Sequence, residues 1–410
     1  MTASTILYVF ILFISLEFII DKILDFLNAK HFKDAIPEIL QDIFDEKEYI
    51  KSQEYKYTNY RFSTFTSILS FALILVLLLT GGFGILDHWV RELTDNYLLQ
   101  SLLFFGILLM AGSLLSLPFN YYQTFVIEER FGFNQSTKKL FFTDWLKGLF
   151  LNLIIVGILA SVIIYIYHIT GKNFWWYALL VVAIFMIFIN MFYTSLIVPL
   201  FNKLTPLQEG ELKQKLKELA KRVNYNLDKI YVIDGSKRSS KANAYFSGFG
   251  PKKKVVLFDT LIDDLTPDEI SAVLAHEIGH YKKKHIIFNL ILSILTTGIM
   301  LFLLSRMIDN ENLAKALGTT QTSFHIGLIA FGLLFTPLSF LLGILTNYIS
   351  RKFEYQADNF AKQYSNAQDL ISGLKKLSKK SLSNLTPHPW YVFVHYSHPD
   401  LKKRLENLVK

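Results

Sequence analysis

Long apolar runs without a single Lys or Arg constrain this chain more than any other feature. Seven of them, at about 4–20, 63–86, 100–118, 148–169, 175–200, 286–305 and 323–349, approach or exceed the roughly 18 residues a helix needs to cross a hydrocarbon core of about 30 Å. The expected fold is therefore mainly α, a polytopic membrane protein of seven transmembrane helices with its termini on opposite sides. Composition agrees: 52% of residues are hydrophobic and 19% charged, where a soluble domain carries roughly 25% charge.

Charge orients the spans. Of the 42 Lys and Arg, all but Arg91, Lys172, Arg306 and Lys315 fall in the odd-numbered loops or the tail. Basic residues are retained on the cytoplasmic side, so the N-terminus is expected outside or in a lumen, and the long loop 201–285 and the tail 350–410 inside. The host would be a bacterial inner membrane or, in a eukaryote, the endoplasmic reticulum. The net charge of +8 then reflects contact with anionic lipid rather than nucleic acid. The first run lacks a basic leader and a small-residue cleavage site, so it reads as a span and not a signal peptide. It holds Glu17, and other runs hold Asn152, Asn190 and Asn289. Such groups either hydrogen-bond between helices or line a polar cavity.

The organisation that follows is 1–200 with five membrane helices and cytoplasmic loops 21–62 and 119–147, a cytoplasmic segment 201–285, membrane helices six and seven within 286–349, and a cytoplasmic tail 350–410. The segment 201–285 has a helical pattern from Glu209 to Asn224 and strand-like runs KIYVI starting at 229 and KVVLF at 254–258. Together they read as a small α+β unit. Between those runs, KANAYFSGF at 241–249 alternates polar and aromatic residues and suits an exposed edge strand able to pair with an extended peptide. Thr266, Pro267 and Glu269 form a capping-box signature that starts a helix.

Ten residues after that cap comes His276-Glu277-Ile278-Gly279-His280, an HExxH motif. On a helix it places two imidazoles at i and i+4 on one face, suited to one zinc ion per chain, with Glu277 beside them as general base. With no cysteine in the chain, any metal must rest on His and carboxylate. A catalytic zinc takes three protein ligands, and Glu354 is the candidate third, four residues before Asp358. Two antiparallel spans return both half-sites to one membrane face, so Asp358 could orient a ligand histidine from behind. The alternative is an acidic helix start paired with Arg351 and Lys352. The tail adds His395, His398 and Arg404, of which a His or Arg brought over the metal could stabilise an oxyanion or hold a substrate carboxylate. Lys282, Lys283 and Lys284 read as interfacial anchors.

These residues resemble the type I CAAX prenyl proteases, whose eukaryotic members mature farnesylated pheromone and the lamin A precursor. The resemblance is carried by LPFNYYQTFVIEERFGFNQST at 117–137, SSKANAYFSGFG at 239–250, FDTLIDDLTPDEISAVLAHEIGHYKKKH at 258–285, RKFEYQADNFA at 351–361 and VHYSHPDLKKRL at 394–405. It implies zinc ligands His276, His280 and Glu354, general base Glu277, a substrate-binding edge-strand Asn243, and substrate or transition-state contacts from His398 and Arg404. It implies seven helices around a water-filled chamber, which would account for Glu17 and the asparagines. The implied reaction removes the last three residues of C-a-a-X proteins, farnesylated or geranylgeranylated, by a chain expected to act as a monomer. Two other functions fit parts of the sequence: a membrane quality-control zinc protease acting on non-prenylated proteins, and a seven-helix transporter or receptor without catalysis. A site-2-type intramembrane protease fits less well, because here HExxH precedes a membrane span instead of lying within one.

Overall fold

The computed structural model describes residues 1–227, 229–247 and 254–410. Its long helices follow the apolar runs: α1 Ala3–Lys30, α2 Glu46–Leu79, α3 Gly82–Leu93, α4 Tyr97–Tyr122, α5 Lys138–Thr170 and α6 Phe174–Leu196. After them come β1 Leu204–Pro206, α7 Glu211–Arg222, β2 Ile230–Ile233, β3 Ala244–Ser247, β4 Lys254–Phe258 and α8 Pro267–Lys282. The chain ends with α9 His285–Met307, α10 Phe324–Tyr364, α11 Ala367–Lys380, α12 Pro389–His395 and α13 Leu401–Val409.

Among the described residues, six helical stretches are long and apolar enough to cross a membrane. One of them, Lys138–Phe201, is 64 residues long and turns back on itself at Gly171–Asn173, so that α5 packs against α6. The run 63–86 is not one helix. Gly81 takes a left-handed conformation (φ +66°) against Gly318 (φ +89°), ending α2 and opening the short amphipathic α3. The seventh run does not end at the membrane, because α10 continues as a single 41-residue helix through Glu354 and Asp358.

Each long helix packs on the next in a closed ring: α1 on α2, α2 on α4 through α3, then α4 on α5, α5 on α6, α6 on α9, α9 on α10 and α10 on α1. Burial is confined to the two ends of this ring. One end is sealed by Ile6, Phe10, Leu78, Phe104, Phe174 and Ile326 among others, and the other by the core beneath the metal-ligand helices. Between them nothing is buried from Phe10 to Leu24 on α1, from Lys56 to Leu78 on α2, or from Phe331 to Glu354 on α10. Asn152, Asn190 and Asn289 are exposed and are not packed between helices.

The segment 201–285 builds a four-stranded sheet of order β1-β2-β4-β3, with β2 parallel to β4 and the outer pairs antiparallel. Ile230, Val255 and Leu257 on one face join Leu216 and Leu219 of α7 and Ile270, Leu274 and Ile278 of α8 in the main core. Val256 and Ile233 on the other face meet Val198 at the end of α6. The edge-strand expectation holds for β3; Gly248 and Phe249 lie outside the described residues.

Candidate active site

The helix α8 starts where the sequence placed its cap. Thr266 Oγ1 accepts from Glu269 N–H while the Glu269 carboxylate accepts from Thr266 N–H at 2.8 Å. Pro267 occupies the first turn, whose donor would have no partner in any case. In its last turn α8 crosses α10, and Gly279 makes the crossing close. A Cβ there would lie 3.0 Å from Phe360 Cβ and 3.1 Å from Ala357 Cα. Small residues on both helices therefore bring the imidazoles of one against the carboxylates of the other.

At that crossing three ligand groups converge. His276 Nε2 and His280 Nε2 are 3.2 Å apart, His280 Nε2 lies 3.2 Å from Glu354 Oε1, and His276 Nε2 lies 3.5 Å from Glu354 Oε2. A tetrahedral ion with bonds of about 2.0–2.1 Å separates its donors by about 3.3 Å, so the triangle has the right size for zinc. The donor chemistry fits as well: Glu354 Oε2 is buried and makes no hydrogen bond. His276, His280 and Glu354 are thus the residues that would hold a metal.

Behind the ligands the support is charged. His276 Nδ1 lies 2.8 Å from Asp358 Oδ1, and Asp358 is wholly buried. Burial alone would lower the His276 pKa, but the Asp358 and Glu354 carboxylates outweigh it and hold it at about 9. The same field that favours a proton on His276 favours a cation beside it. Arg404 grips Asp358 with two donors, Nε to Oδ2 at 3.0 Å and Nη2 to Oδ1 at 2.6 Å, and its Nη1 is 3.6 Å from Glu354 Oε2. Two of its donor nitrogens are therefore committed to Asp358.

His398 occupies the open side. Its side chain is 63% exposed, yet Nε2 sits 3.4 Å from Glu354 Oε1, and Nδ1 pairs with Ser397 Oγ at 2.9 Å. Arg351 brings it there: its guanidinium donates to the carbonyls of Val392, Phe393 and Tyr396, tying the end of α12 to α10. Arg351 is thus not the partner of Glu354. His395 points elsewhere, 3.6 Å from Asp21 on α1. Glu277 is half-buried, one residue on from His276. Asn243 sits at the foot of β3, where its carbonyl accepts from Phe258 N–H and its side chain from Ala244 N–H. It makes no hydrogen bond to His276, His280 or Glu354.

Residues 206–410 match the model of peptidase family M48, and residues 25–203 match that of the CAAX prenyl protease N-terminal region with its five membrane helices. This chain belongs to the CAAX prenyl protease family. It is 37% identical over 399 residues to CAAX prenyl protease 1 of Saccharomyces cerevisiae, covering 91% of this chain and 88% of that one. To the human CAAX prenyl protease 1 homolog it is 33% identical over 419 residues, with the same two coverages. The crystal structure of S. mikatae Ste24p superposes with a TM-score of 0.93 at 36% identity and covers 99% of both chains. The chain is accordingly an integral membrane metalloendopeptidase of the CAAX prenyl protease type.

Two supports of this protease site were not singled out in the sequence. His285 opens α9, and its Nδ1 lies 3.0 Å from His280 Nδ1 while its Nε2 lies 2.9 Å from Gln356 Oε1. Were His280 Nε2 to face a metal, His280 Nδ1–H would donate to His285 Nδ1 and His285 Nε2–H to Gln356 Oε1. The ring of His285 stacks on Phe353 at 4.0 Å, fixing its plane. The block at 117–137 also gains a use: Glu128 holds Lys241 at 2.8 Å and accepts from Tyr55 Oη at 2.6 Å, pinning the chain that leads into β3. Lys282 donates to the Asn224 carbonyl at 2.8 Å, tying α8 to the loop after α7.

Proposed function

We propose that the protein is a zinc endopeptidase that cleaves C-a-a-X sequences near a substrate's C-terminus, working at the cytoplasmic end of a chamber enclosed by seven transmembrane helices. The observation that carries this reading is the triangle of His276, His280 and Glu354, set on Asp358 and facing the exposed His398. The seven-helix count rests on α5 and α6 being separate antiparallel spans. The chamber rests on the closed ring whose middle third buries no side chain on α1, α2 or α10. Orientation follows from the placement of Lys and Arg, with the N-terminus outside and the site inside.

Zinc bound to the triangle would acidify a water molecule and polarise the scissile carbonyl. Glu277 takes the proton of the attacking water and passes it to the leaving amine. His398 donates to the developing oxyanion, a contribution usually worth a few kcal/mol. Asp358 holds His276 in the tautomer that turns Nε2 to the metal, and Arg404 holds Asp358. Substrate lies along the free edge of β3, guided by Asn243.

The test is metal content together with cleavage of a farnesylated C-a-a-X peptide and its non-lipidated twin, by wild type and Glu277→Gln. One zinc per chain and cleavage lost in the variant are expected. Full peptidase activity in Glu277→Gln would sink the mechanism. Equal cleavage of both peptides and of unfolded non-prenylated membrane protein would favour a quality-control protease. Absence of both zinc and cleavage would favour a transporter or receptor.

A further inference from the structure

Where α2 runs beside the helical stretch Tyr97–Phe131, which contains α4, a groove of about 650 Å³ opens between them. Its apolar part is lined by rings paired across the two antiparallel helices. Phe62 stacks on Tyr122 at 5.3 Å, and Phe65 meets Phe119 at 6.3 Å. Phe65 is 59% exposed, so apolar surface is left for a ligand to cover. Arg61 and Arg130 line the same groove. Arg61 has no carboxylate partner among the described residues, and Arg130 has only an exposed one, Glu54 at 3.5 Å.

The order of these groups follows the membrane normal. Phe65 and Phe119 stand at the ends of the apolar runs 63–86 and 100–118, and Arg61 lies just outside the first of them. Arg130, level with Glu54, is two helical turns or about 10 Å farther out. There the surface hollows again, and Arg61, Arg130 and Lys33 face one carboxylate among the described residues, Glu54. Aromatic rings at the edge of the hydrocarbon with unpaired guanidinium at its boundary match a molecule that the bilayer itself supplies, an amphiphile with an acidic head. A guanidinium suits a phosphate because it can donate two parallel hydrogen bonds. A zwitterionic head would bring a further cation to a place already rich in them, so charge selects among lipids.

We propose that the groove between α2 and α4 binds one anionic phospholipid, with Arg61 on the phosphate, Arg130 on the outer headgroup, and Phe65 and Phe119 against an acyl chain. The site is separate from the protease centre, since none of His276, His280 and Glu354 lines it.

The experiment is mass spectrometry of the intact full-length protein, stripped of lipid and held in detergent, titrated with palmitoyl-oleoyl phosphatidylglycerol or with the matching phosphatidylcholine. Wild type should bind its first phosphatidylglycerol about 10- to 30-fold more tightly, since each interfacial cation contributes about fivefold. Arg61→Gln with Arg130→Gln should bring that ratio to within about twofold of one. Lys138→Gln with Lys139→Gln, which removes two exposed charges at the start of α5, should leave it unchanged. Phe65→Ser should weaken both lipids alike and leave the ratio in place. A wild-type ratio near one, a ratio retained without the two arginines, or affinities indifferent to Phe65→Ser would each overturn the site. Displacement of the lipid by glycerol phosphate at millimolar concentration would make it a site for soluble phosphate instead. Displacement by a farnesylated peptide would assign the groove to a prenyl chain, and both outcomes refute the proposal.

Discussion

His276 and His280 are each oriented from behind by a different device: Asp358 with Arg404 holds the first, and His285 with Gln356 and Phe353 holds the second. Outer partners of this kind typically account for 10- to 100-fold in metal affinity. Asp358→Asn and His285→Ala should each weaken zinc binding by about that factor while the protein stays folded, measured by competition with a chelator. A variant that holds zinc as tightly as wild type would show its partner to be dispensable. The His276–His280 pair was legible because i,i+4 spacing survives any tertiary arrangement. His285 was not, because a helix break intervenes at Lys284 (φ +61°), and only that break turns the ring back toward His280. Arg404 was visible as a cation near the site, but its commitment to Asp358 depends on how α13 docks on α10.

At the scale of elements, the α8–α10 crossing decides whether a site forms. Gly279→Val would place branched carbons where the gap to Ala357 and Phe360 is about 3 Å, forcing the helices apart. A cost of about 1–3 kcal/mol and loss of stoichiometric zinc are expected, read by thermal unfolding and metal analysis. The cap of α8 is also a strut. Glu269 is buried, and besides capping it binds Lys376 at 2.7 Å and Ser372 at 2.6 Å on α11. Burial would raise its pKa, yet Lys376, Ser372 and the Thr266 N–H together hold it below 4.5. Its stabilisation is therefore complete above the unfolded-state value and lost as pH falls through the lower folded-state value. Glu269→Gln should lower the unfolding temperature at pH 7 by the equivalent of about 2 kcal/mol, a gap that narrows as pH drops below 4.5. An unchanged gap under acid would mean that packing, not charge, is what Glu269 contributes. The capping box and strands were readable in the sequence; the strut to α11 was not, since a Glu on a first turn looks the same with or without a distant lysine.

For the whole molecule, apolar runs located the membrane helices, because lipid demands uncharged surface whatever lies on the inner side. The same insensitivity hid which stretches are packed against neighbours, and it let the run 63–86 conceal a turn at Gly81. The absence of cysteine makes the proposed chamber testable. Single cysteines replacing Asn152, Asn190 and Asn289 in reconstituted protein should react with a charged, lipid-insoluble maleimide, within about tenfold of a loop position. Protection of all three would argue for lipid on every side and against a chamber.

Only Lys283 and Lys284 separate the helix bearing His276 and His280 from α9, and Glu354 rides on the unbroken continuation of α10. Glu354 thus rides directly on a helix long and apolar enough to cross a membrane, and the two histidines sit one short turn away from another. A tilt of about 2° over an arm of about 30 Å displaces the end by about 1 Å, several times the roughly 0.2 Å latitude of a metal–ligand bond. In a bilayer, a change of thickness or lateral pressure would then be felt at the donor triangle, which would make the surrounding lipid a mechanical component of the enzyme.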